Sequence, residues 1–154
     1  MGRTDEQQRV VAAPADRVFR AFVERDALAA WLPPDGMTAV VEELDARPGG
    51  RYRIVLSYVD GGGLGKTTPD ADVAEGTYVE VVPGERVVHD VVFVSDDPAY
   101  AGTMRMTWSL EPVDGGTRVT FRADDVPPGI SAQDHADGLA SSLAQLAVLV
   151  ERDA

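Results

Sequence analysis

The sequence predicts an α+β fold: an antiparallel sheet of six or seven strands covered by one long C-terminal helix, with two short helices after the first strand. Three observations carry this. Between Met37 and Asp124 apolar residues alternate with polar ones in short runs broken by Gly- and Pro-containing turns, the period of half-buried strands. After Ser131 the period changes to that of a helix. Between the first strand and the meander lies a short amphipathic stretch bounded by Pro14 and Pro33-Pro34.

Residues 3 to 11 read as the first strand. Pro14 suits the first turn of a helix, where its missing N–H costs nothing, and Val18, Phe19 and Phe22 give that helix an apolar side. DALAAWL reads as a second short helix, stopped at Pro33-Pro34. TAVVEEL is followed by the turn RPGG and by RYRIVLSYV, in which Tyr52, Ile54, Leu56 and Tyr58 alternate. ADVAEGTYVEVV and RVVHDVVFV flank a PGE turn. In TMRMTWSL, Met104, Met106, Trp108 and Leu110 share a face; VDGGT signals a hairpin into RVTFRA, with Val119, Phe121 and Ala123 alternating. From the N-cap Ser131 onward, His135, Leu139, Ser142, Leu143, Leu146, Leu149 and Val150 fall within about 120° of arc, one continuous stripe on a long helix. Such a sheet needs that stripe to cover its apolar face.

The 154 residues fit a single domain spanning 1–154, with no linker and no internal repeat. A net charge of −12 repels phosphate backbones and anionic lipids, so neither a nucleic-acid nor a membrane partner is expected. The simplest reading of the acidity is solubility. There is no cysteine, which excludes disulfides and thiolate chemistry. The start MGRTDEQQ has no apolar signal core, and Glu6 stands where N-myristoylation after Gly2 expects Ser or Thr, so the chain is expected to be cytoplasmic. DGGGLGKT, residues 60–67, is a near miss to a phosphate loop: Asp60 occupies the place of the first glycine, and a strand rather than a helix follows.

The segments AAPADRVFRAF, LAAWLPP, ELDARPGGRYRI, GTYVEVVPGERVV, GGTRVTF and GLASSLAQLAVLV, in that order, resemble the activator of Hsp90 ATPase homologue 1-like family, a branch of the START/Bet v 1-like (SRPBCC) superfamily. The resemblance runs from about Val10 to Val150. It implies a helix-grip fold, a curved sheet wrapped around the C-terminal helix with a cavity between them. In the superfamily such cavities take lipids, sterols, polyketides and other apolar molecules, and some members catalyse cyclisation or hydrolysis. The chain departs from the family at Leu139, where GLASSL replaces the usual Gly-Trp, and at Leu32, where a second Trp is common. Both changes put a smaller side chain where the family has a large aromatic. The separate N-terminal domain of the chaperone activator has no counterpart here, so chaperone stimulation is not expected.

RVVHDVVFV poses the sharpest question about a site. Neighbouring strand residues point to opposite faces, so His89 and Asp90 cannot form a dyad. His89 shares the parity of Val87, Val91 and Phe93, which the resemblance places on the cavity side, whereas Asp90 faces solvent, paired with a cross-strand Arg. His135, the only other histidine, sits on the helical stripe and could look into the same cavity, making the two an acid–base candidate pair. The plainer reading is a hydrogen-bonded inward His89 and a polar His135 at the helix start. Asp134 and Asp137 near His135 suggest no metal, for want of a third ligand, and suit the first turn of a helix. Trp31, Tyr52, Leu56, Tyr58, His89, Phe93, Met104, Met106, Trp108, Leu139 and Leu143 are the expected lining of a pocket for a small apolar ligand, with Tyr52 and Tyr58 as polar handles. For any one of them, ordinary core is the alternative. Asp45 and Arg47 are expected to brace the Pro48-Gly49-Gly50 turn. No cofactor is expected; a homodimer is compatible with the sequence but nothing in it demands one. An enzyme of the cyclase or hydrolase kind using His89 and His135, or a chaperone-associated interaction module, is the alternative to a binding protein.

Overall fold

The computed structural model describes residues 3–34, 36–59 and 71–152. Gly2 and the DGGGLGKT segment lie outside the described residues. The element order is β1 (Arg3–Val11), α1 (Ala15–Val23), α2 (Arg25–Trp31), β2 (Met37–Leu44), β3 (Arg51–Tyr58), β4 (Ala71–Val82), β5 (Arg86–Phe93), a 3₁₀ turn (Pro98–Tyr100), β6 (Met104–Val113), β7 (Gly116–Val126) and α3 (Ala132–Arg152). Seven strands form one sheet in the order β1-β7-β6-β5-β4-β3-β2, every neighbouring pair antiparallel. From β2 onward the chain meanders; α1 and α2 carry it from the β1 edge to the β2 edge. This is the helix-grip architecture, α+β, with α3 on the concave face.

Alternation decides which side chains enter the core. Met104, Met106, Trp108 and Leu110 of β6 are buried, as are Val119, Phe121 and Ala123 of β7. Their odd-step neighbours carry the solvent-side ion pairs, such as Arg105 with Asp90 and Arg118 with Glu111. The pairing slips at Val41/Glu43 in β2, at Tyr78/Glu80 in β4 and at Arg3/Asp5 in β1. Each such bulge bends its strand and adds twist, which is how a sheet acquires curvature.

Four aromatic rings set the floor at the α1–α2 end. Phe22, Trp31, Trp108 and Phe121 meet at centroid distances from 5.2 to 6.2 Å, and Trp31 Nε1 donates to the Ala21 carbonyl at 2.8 Å. Such tilted pairs each add about 0.5–1.5 kcal/mol beyond area burial. Helix α3 is capped as its sequence suggests: Ser131 Oγ accepts from Asp134 N at 3.0 Å. Its stripe of Leu139, Ser142, Leu143, Leu146 and Val150 is buried, with Ala147 added. The turn after β2 is also as expected, with Arg47 Nε donating to both Asp45 carboxylate oxygens at 2.9 Å and Gly49 at φ +84°. Among the described residues, no helix is long and apolar enough to cross a membrane.

Candidate functional site

Helix α3 packs most closely on β1, α1 and α2, at one side of the sheet. Over the middle strands it stands off, and a hollow of about 180 Å³ remains beneath it. Tyr52, Ile54 and Leu56 of β3, with Ala74 and Tyr78 of β4, form one wall. His89, Val91 and Phe93 of β5 and Met104, Met106 and Trp108 of β6 form the floor. Leu28, Leu32 and Pro34 close one end, and His135, Gly138, Leu139 and Ser142 of α3 form the roof. The exposed surface of the hollow is almost wholly apolar.

The polar atoms it contains are tightly organised. Tyr52 Oη lies 2.7 Å from His89 Nδ1, across the intervening strand β4. That reach depends on Gly76, which pairs with Tyr52: a Cβ at position 76 would overlap the Tyr52 ring. The His89 ring also meets Trp108 edge-on at a centroid distance of 4.5 Å and Tyr78 at 5.9 Å. Burial pushes the His89 pKa down to about 3, against a small opposing pull from Asp90, so the imidazole is neutral. Burial, reinforced by Tyr78 and Asp90, drives the Tyr52 hydroxyl well above its ordinary range. Two buried atoms, His89 Nε2 and Trp108 Nε1, have no hydrogen-bond partner among the described residues.

The hollow opens into a wider, more polar recess of about 610 Å³ that shares Pro34, Leu56, Phe93, His135 and Gly138 with it. Tyr58, Asp72, Tyr100, Asp134 and Asp137 line this mouth. Burial, with the Asp72, Tyr100 and Asp134 charges, raises the Tyr58 pKa. The rim is braced from β1. His135 Nδ1 lies 2.7 Å from Asp5 Oδ2, and because an ionised carboxylate only accepts, Nδ1 carries the proton. Burial works against the Asp5 carboxylate, but hydrogen bonds from Arg3 and His135 outweigh it and hold its pKa low. On the α2 side, Ser142 Oγ donates to the Leu32 carbonyl and Gln145 Nε2 to that of Pro33, each at 2.7 Å, fastening α3 to the α2–β2 connection.

Of the side chains singled out in the sequence, Tyr52, Leu56, His89, Phe93, Met104, Met106, Trp108 and Leu139 lie around the hollow. Tyr58 stands at the mouth instead. Trp31 and Leu143 are buried in the packed core, Trp31 because its ring is locked among Phe22, Trp108 and Phe121. His89 and His135 border the same hollow, yet each has its Nδ1 committed, to Tyr52 and to Asp5 respectively. Asp90 faces outward and receives both Nε and Nη2 of Arg105, at 2.8 and 3.0 Å. Tyr78 and Ala74 were not anticipated: they share a face of β4 with Asp72 and Gly76, while Val73, Val79 and Val81 carry apolar side chains on the other parity, so alternation does not mark which face turns inward. Among the described residues no cluster of His, Asp and Glu could hold a metal ion.

The fold and this geometry can be set beside known proteins. A solved structure of a protein from Chromobacterium violaceum is 36% identical, covers 96% of each chain and superposes with a TM-score of 0.86. A protein from Rhodobacter sphaeroides is 22% identical over 99% of this chain and 96% of its own, with a TM-score of 0.78. One from Arthrobacter aurescens is 15% identical over 97% of this chain and 86% of its own, with a TM-score of 0.81. These last two share the fold. No curated protein sequence matches the chain. The sequence profile of the family described as "Activator of Hsp90 ATPase homolog 1-like protein" matches residues 12–151. Nearly the whole described chain is thus covered, from the end of β1 to the last turn of α3, and the protein belongs to the activator of Hsp90 ATPase homolog 1-like family, in the START/Bet v 1-like fold.

Proposed function

We propose that the protein binds a small, mostly apolar molecule in the hollow between the sheet and α3. The observation that carries this reading is the hollow itself: about 180 Å³, apolar inside, opening to a polar mouth. Apolar cavities of about 150 Å³ stay dry and take up benzene. One ring or a short branched chain therefore fits the inner part, and any polar end of a larger molecule would rest against Tyr58 and Tyr100 in the mouth. Leu32 and Leu139, where the family resemblance implies larger aromatic side chains, both border this space.

The acid–base alternative has less support. An imidazole with a pKa near 3 is a weak base at neutral pH, and the Nδ1 of His89 is already engaged by the Tyr52 hydroxyl. His135 gives its own Nδ1 to Asp5. Native mass spectrometry of protein purified from its own host tests the reading. A bound small molecule that leaves on mild denaturation is expected; a chain that carries none, and takes up none from a panel of monocyclic hydrocarbons, would remove it.

A further inference from the structure

Resting on that reading, we infer that Ala74 is a specificity-determining residue of the hollow: the apolar end of the ligand lies across β4 there, between Ile54 and Phe93, and the size of side chain 74 limits its breadth. The strand register carries this. Ala74 pairs with Ile54 of β3 on one side and with Phe93 of β5 on the other, and all three line the hollow. Two strand spacings set the flanking residues about 10 Å apart, with only a methyl group between them. The sheet therefore carries a trough at residue 74, walled by long apolar side chains and floored by a single carbon.

The neighbouring places on the same face of β4 are used otherwise. Asp72 lines the mouth, and Tyr78 is itself part of the wall. The room above Gly76 is taken by the Tyr52 ring, which a Cβ there would overlap. The room above Ala74 is instead part of the hollow. Valine at that position would suit a strand better and bury more apolar surface, and space left in a core costs stability. The small side chain forgoes that stability and leaves a seat. An uncharged end about one ring broad fits it; a fused or heavily branched end meets Ile54 and Phe93.

Fluorobenzene and 1-fluoro-3,5-dimethylbenzene, two probes of different breadth, test this by ¹⁹F NMR titration of the wild type, Ala74→Gly and Ala74→Val. The preference for the narrower probe should rise from the Gly variant through the wild type to the Val variant, by about tenfold or more in all, the scale on which a methylene discriminates in an apolar pocket. Loss of both probes from Ala74→Val alone, with Ala74→Gly shifted toward the broader one, is the limiting form of that result. Ala74→Val should also raise the denaturation midpoint, because its methyls enter empty space. Thr77→Val, at an exposed position on the outer face of the same strand, should leave the preference unmoved. A preference that ignores residue 74, or that moves as much with Thr77→Val, would overturn the inference and leave the pocket reading standing. A lowered midpoint in Ala74→Val would overturn it too, since the place would then be packed already. If the wild type binds neither probe, the pocket reading falls, and this inference with it.

Discussion

At the scale of single residues, His89 is the informative one, a histidine the fold holds uncharged. The unfolded chain takes up a proton there from about pH 6.5 downward, the folded chain only near pH 3. Across that window the unfolded state binds more protons, so stability falls as the pH drops and returns as it rises. Chemical denaturation from pH 7 to pH 4 should show this slope in the wild type and a shallower one in His89→Phe, with His135 and the carboxylates common to both. Tyr52→Phe removes the partner of a buried ring nitrogen and should cost about 1–3 kcal/mol by the same measurement. Strand parity alone separated His89 from Asp90 and sent Asp90 to a cross-strand arginine, here Arg105. The Tyr52–His89 bond was beyond such reading, because it crosses two strand pairings whose registers no single sequence gives. One signal was present: Gly76, in the middle of an otherwise strand-forming run, marks a place where another group passes close.

At the scale of elements, Gly76 has a consequence for β4. Gly76→Ala should force the Tyr52 ring aside and cost about 1–3 kcal/mol in overpacking, visible as a lowered denaturation midpoint and altered tyrosine fluorescence. Ser131→Ala removes the α3 cap and should cost about 1 kcal/mol, read as a lowered denaturation midpoint. Helix α3 was legible almost to the residue, since a capped amphipathic stripe is a local signal. The strands were legible as strands, and their inward faces on β6 and β7 followed from alternation. The bulges in β2 and β4 were not, because apolar residues fall on both parities there, as at Val40 and Val41 or Val73 and Ala74, and hide the change of phase. The assignment of Trp31 to core rather than lining likewise depended on how α1 and α2 settle against β6, a tertiary outcome.

At the scale of the molecule, a sheet bent by bulges and a helix resting on its β1 side do not meet over the middle strands, and the hollow is the space left between them. Its size is set partly by Leu139, on the roof, and that residue offers the most direct test of the claim that the space receives ligands. The measurement is a ¹⁹F NMR titration of fluorobenzene against the wild type and Leu139→Trp, with folding of both verified by denaturation. The wild type should bind saturably, in competition with toluene, and the variant, its hollow occupied by its own indole, should lose that binding. Fluorobenzene that ignores the wild type, or binds both proteins alike, would contradict the account.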